Sequence, residues 1–89
     1  MAEILVQHEV KDFANWKKEY DSQADLRASS GMLSDQIYRD VSDQNQLTVV
    51  LKWDSVENAQ KFAQSSELKA AMEKAGVVGK PTINFVNEA

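Results

Sequence analysis

Apolar residues recur along this chain in two rhythms, and the switches between them mark out its elements. In residues 3–10, Ile4, Val6, His8 and Val10 alternate with Leu5, Gln7 and Glu9, the two-residue period of a β-strand. The period then lengthens. Phe13, Trp16, Tyr20, Ala24 and Ala28 fall at helical spacing, behind Asp12 as N-cap and ahead of Gly31 as the left-handed stop. This predicts one continuous helix. Alternation returns in residues 33–41, where Leu33, Ile37, Arg39 and Val41 oppose Gln36, Tyr38 and Asp40. It is strongest in Gln46–Trp53, where Leu47, Val49, Leu51 and Trp53 share one face and Thr48, Val50 and Lys52 the other. Both faces are apolar enough to be covered, so this strand is expected at the centre of a sheet.

The turn formers Ser42-Asp43-Gln44-Asn45 make residues 33–41 and Gln46–Trp53 a hairpin. Setting Ser42 against Gln46 pairs Tyr38 with Val50 and Asp40 with Thr48. Asp54-Ser55-Val56-Glu57 reads as a capping box with Asp54 at its head. Val56, Ala59, Phe62 and Ala63 then form a short helical stripe, broken at Ser65-Ser66. The stripe resumes through Leu68, Ala71, Met72 and Ala75 and stops at Gly76. Residues 77–80 read as a connecting loop, after which Pro81 opens a last strand carrying Ile83 and Phe85.

The order β-α-β-β-α-β is the split βαβ pattern of ferredoxin-like α+β folds. Right-handed crossovers put both helical regions on one face of a four-stranded antiparallel sheet, with the first and third strands central. Ile4, Val6, Ile37, Leu47, Val49, Leu51, Ile83 and Phe85 then face the helices. No repeat or linker divides the chain, so residues 1–89 read as one domain. The other sheet face mixes Leu5, Tyr38, Val50 and Val86 with Gln7, Gln36 and Asn84. That surface is too apolar to stay wet and too polar for a core, and a two-fold partner presenting the same face resolves the conflict. A domain this short buries only about 60% of its unfolded surface, so association also adds needed burial.

Composition removes chemistries rather than adding them. Without cysteine there is no disulfide framework, thiolate metal site or cysteine nucleophile, and a single histidine excludes a histidine cluster. No metal site is expected. Ten basic residues against 14 acidic give a net charge of −4, and the basic ones are scattered, which argues against nucleic acid. No apolar run approaches the roughly 18 residues of a membrane span, and the N-terminus lacks a signal-peptide pattern. The expected location is cytoplasmic. No nucleophile elbow, phosphate loop or dinucleotide fingerprint occurs.

Several short motifs, taken together, carry a family resemblance. Val10-x-Asp12-Phe13-x-x-Trp16, then Tyr38-Arg39, then Trp53-Asp54-Ser55 with Ala59, then Gly76-Val77 ahead of Pro81 resemble the antibiotic biosynthesis monooxygenase superfamily over nearly the whole chain. The resemblance implies a dimeric α/β barrel with a ligand site between helices and sheet. It also implies a function among cofactor-independent oxygenases of aromatic polyketides, haem-degrading enzymes and non-catalytic relatives. Haem degraders commonly carry a helix-two histidine where this chain has Phe62, so no haem or other cofactor is expected.

The candidate site residues follow from face and chemistry. His8 is the candidate general base, since an imidazole titrates near neutrality. Trp16, Tyr20, Trp53 and Phe62 can stack a flat ligand, and Arg39 can add a polar contact. The plainer alternatives are an aromatic core stripe, a hydrogen-bonded structural histidine and a solvated edge arginine. Three functions stay open: a homodimeric monooxygenase-like protein acting on a flat organic molecule, a non-catalytic ligand-binding or stress-associated barrel, and a module for protein association only.

Overall fold

The computed structural model describes residues 2–89; Met1 lies outside them. The chain folds as β1 (Ala2–Val10), α1 (Phe13–Ser22), α2 (Ala24–Ser30), β2 (Met32–Arg39), β3 (Gln46–Trp53), α3 (Val56–Ala63), α4 (Ser66–Lys74) and β4 (Val77–Asn87). The sheet order is β2-β3-β1-β4 with every pairing antiparallel, so β1 and β3 are central as the pattern predicts. This is the ferredoxin-like α+β architecture. Ile4, Val6, Val10, Leu47, Val49, Leu51 and Trp53 pack from the sheet against Trp16, Ala59, Phe62 and Ala75 from the helices.

Three expectations change in detail. The hairpin register is displaced by two residues: Tyr38 pairs with Thr48 and Gln36 with Val50. The cause is Asp40, whose carboxylate accepts from the Ser42 and Asp43 amides at 3.0 Å each. That local turn takes residues 40 and 41 out of the strand and leaves Val41 97% exposed. A shift of two preserves side-chain parity, so Ile37 still faces the helices opposite Val49. The cap of α3 is Ser55 rather than Asp54; its hydroxyl accepts from the Asn58 amide at 3.1 Å. Asp54 instead accepts from the Asn58 side chain at 2.9 Å.

β4 also starts earlier than expected, at Val77, which pairs with Val10. Between Thr82 opposite Gln7 and Val78 opposite Glu9 the strand bulges, with Gly79 at φ 69°. The spare residues lie beside His8. On the same edge strand Phe85 pairs with Ile4 but remains 45% exposed.

The predicted first helix is two helices. The Ser22 hydroxyl donates to the Glu19 carbonyl at 2.6 Å, occupying the acceptor that the Gln23 amide would use in a continuous helix. The Gln23 amide turns to the Tyr20 carbonyl, and that carbonyl also accepts from Arg27 Nη1 at 2.7 Å. The break rotates α2. Gln23, Leu26, Arg27 and Ser30 turn inward, while Ala24 and Ala28 of the predicted stripe are exposed.

Candidate functional site

The layer between helices and sheet is not solid throughout. A cavity of about 70 Å³ lies between β1, β3 and the four helices. Its walls include Ile4, Val6 and His8 from β1, Trp16 and Tyr20 from α1, Leu26 and Arg27 from α2, and Phe62 from α3. Leu68, Ala71 and Met72 of α4 close it. Strand alternation aims His8 inward with Ile4 and Val6, and the helical stripe that Asp12 starts brings Trp16 and Tyr20 over them.

His8 is 6% exposed, and neither Nδ1 nor Nε2 has a hydrogen-bond partner among the described residues. Burial disfavours the charged imidazolium and pushes its pKa below the usual 6.5. The ring sits 5.7 Å from that of Trp16, tilted at 46°. His8 also borders an open polar groove at the sheet end, lined by Gln7, Glu9, Thr48 and Lys80, where the β4 bulge parts the strands.

Tyr20 stacks on Trp16 with ring centroids 4.9 Å apart. Its hydroxyl donates to Asp35 Oδ2 at 2.5 Å. Burial first, and then that bond to a carboxylate, push the phenol pKa well above its usual 10. Tyr20 is therefore a fixed neutral donor rather than a proton acceptor.

The structure brings four of the six residues singled out from sequence to this cavity: His8, Trp16, Tyr20 and Phe62. Trp53 is not a wall. It is fully buried behind Phe62, at 4.9 Å between centroids. Arg39 lies outside as well, with its guanidinium 4.0 Å from the centre of the Phe13 ring and its Nε donating to the Gln44 carbonyl at 3.0 Å. Sequence reading missed Arg27, which is 5% exposed and lines the cavity. A signal existed, since Arg27 is seven residues after Tyr20 and so on its helical face, but a charged residue there reads as solvated. Among the described residues no group of three potential metal ligands occurs, and no helix is long and apolar enough to cross a membrane.

Residues 3–74 match the profile of the Antibiotic biosynthesis monooxygenase family, and the chain belongs to it. No curated protein matches by sequence. Among solved structures, an antibiotic biosynthesis monooxygenase-type protein of Bordetella bronchiseptica superposes with TM-score 0.83 at 15% identity, over 99% of this chain and 96% of the other. A conserved protein of Methanosarcina mazei Go1 gives 0.77 at 13%, covering 99% and 92%. SnoaB, a cofactor-independent oxygenase of Streptomyces nogalater, gives 0.77 at 10% in its N63A form, covering 98% and 91%. At these identities the likeness is one of fold.

Proposed function

We propose that this protein is a homodimer that binds a flat organic molecule in the helix-side cavity and oxidises it with molecular oxygen, without a cofactor. The observation that carries the reading is His8: a buried, neutral imidazole with both nitrogens unpartnered, at the wall of an aromatic cavity. Buried polar atoms are normally paired, so an unpaired imidazole at the wall of a void supports a ligand's polar group binding there. Neutral His8 can take the proton of a phenol or enol, raising the electron density that oxygen attacks. In the net reaction a ring CH2 becomes a carbonyl; one oxygen atom stays in the product and the other leaves as water. The substrate supplies all four electrons.

As closed, the cavity is about half the ~150 Å³ that holds a benzene ring in an engineered protein core. Admission of a ring therefore works by an outward shift of α4, which has no fully buried residue of its own. Oxygen uptake with an anthrone or quinol probe tests the reading. We expect turnover that falls ~10²–10⁴-fold in His8→Ala while fold is retained. Full activity in that variant removes His8 from the chemistry.

Non-catalytic binding is the second reading, and one observation favours it: no carboxylate or carbonyl orients His8, as a base of fixed tautomer requires. Binding of the probe without oxygen uptake selects it.

The homodimer rests on the open sheet face. There Leu5 and Val50 are only half-buried, Val86 is 40% exposed and Tyr38 52%. Val50→Asp puts a charge at the centre of that face and is expected to yield monomer in sedimentation. A wild-type monomer at micromolar concentration refutes the dimer.

A further inference from the structure

Arg27 is the least explained residue in the molecule. Arg27 as a residue is 5% exposed, yet no carboxylate lies within ion-pair distance of it among the described residues. A buried charge without a counter-charge is costly, and proteins rarely keep one idle. The two carboxylates bordering the cavity do not serve it. Glu19 reaches Lys74 Nζ at 3.7 Å, and Glu67 is exposed.

The guanidinium is nevertheless held in place. Nη1 donates to the Tyr20 carbonyl at 2.7 Å, and the guanidinium carbon sits 3.6 Å from the centre of the Tyr20 ring. Asp35 anchors that ring in turn through the Tyr20 hydroxyl. Tyr20 of α1, anchored by Asp35 of β2, thus fixes the cation of α2 at the wall of a mostly apolar void. Nε is buried and has no hydrogen-bond partner among the described residues. It belongs to the edge of a guanidinium that offers parallel donors in the spacing of a carboxylate fork.

We infer that the cavity takes an anion, a small aromatic carboxylate whose charge is paired by Arg27 while its ring lies among Trp16, Tyr20 and Phe62. The inference rests on the ligand-binding reading above and adds the charge of the ligand. Arg27 supplies the counter-charge and His8 meets a polar group elsewhere on the ring. The apolar walls raise the strength of the ion pair, because little water competes for it.

The test compares benzoate with its uncharged analogue benzyl alcohol, read by chemical-shift changes of the Trp16 indole during titration. Benzoate should bind at least about tenfold more tightly, a difference within reach of a charge-assisted pair. In Arg27→Gln the preference should vanish through weaker benzoate binding. If the alcohol binds and benzoate does not, or if Arg27→Gln keeps the preference, the anion assignment is wrong and the cavity reading survives. If neither probe shifts Trp16, both fail together. Arg27→Met supplies an independent check through urea unfolding. A cation held for a ligand is dispensable to the empty protein, so this variant should be at least as stable as wild type. Marked destabilisation would make Arg27 a structural residue and overturn the inference.

Discussion

The helix layer has a solid end and a hollow end, built from similar residues. At the solid end Trp53 is fully buried, with Phe62 against it and Ala59, also fully buried, letting α3 approach the sheet closely. At the hollow end Phe13, Trp16 and Tyr20 stack in a row with centroids 5.9 and 4.9 Å apart, yet Trp16 and Tyr20 border a void beside His8 and Arg27. The helices differ accordingly: α3 buries Ala59 and Phe62, whereas α4 fully buries nothing. Aromatic content alone therefore does not make a core. What separates the two ends is ionisable groups: His8 and Arg27 are buried at the hollow end, whereas the buried unpartnered atom of the solid end among the described residues is the uncharged indole nitrogen of Trp53.

The largest expected effect breaks the solid end. Trp53→Ala should cost about 3–5 kcal/mol in urea unfolding, since no neighbour can fill the space. Trp16→Ala should cost less, about 2–3 kcal/mol, because its ring already borders a void and makes fewer contacts on that side. It should weaken ligand binding instead. Equal losses in the two variants would erase the distinction between the ends.

Gly31 sharpens it next. Its φ of 114° is left-handed, and an added Cβ would meet the Asp54 carboxylate oxygens at 2.6 and 2.9 Å. The same turn accepts the Asp54 amide on the Gly31 carbonyl at 3.0 Å, tying α2 to the end of β3. Gly31→Ala should lower stability by roughly 1–3 kcal/mol through strain and the lost fit to Asp54, read as a fall in the urea midpoint.

The hollow end is expected to show itself through pH. Because burial lowers the native pKa of His8, the unfolded chain binds its proton first as pH falls below 6.5. His8 therefore costs nothing above pH 6.5, and stability is lost progressively from there down through the lowered native value. His8→Gln should flatten that part of the stability profile. An unchanged profile would mean the imidazole is solvated. Smallest of all is the response to haem: with Phe62 on the wall and about 70 Å³ of space, titration should give no stoichiometric Soret shift.

Much of this was written in local pattern. Alternation in residues 3–10 and Gln46–Trp53 specifies strands buried on the helix side, and the cap Asp12 accepts from Ala14 within the first turn it opens. Such features depend on neighbours a few residues away, so they survive without knowledge of the fold. Parity also protected the hairpin, where the register moved by two and Ile37 kept its place on the helix side opposite Val49, though Val41 left the strand.

The site was half legible for the opposite reason. His8, Trp16, Tyr20 and Phe62 can be placed by face, but whether Trp53 or Arg27 completes the wall depends on volumes and helix rotation. The rotation of α2 turns on one hydroxyl taking one carbonyl, Ser22 on Glu19, a competition that helical periodicity cannot register. The void itself is a remainder left after distant elements have packed, and the burial of Arg27 is set by α1, α2 and β2 meeting around it. Periodicity names the face a residue occupies; only the assembled layers decide what stands opposite, and whether anything does.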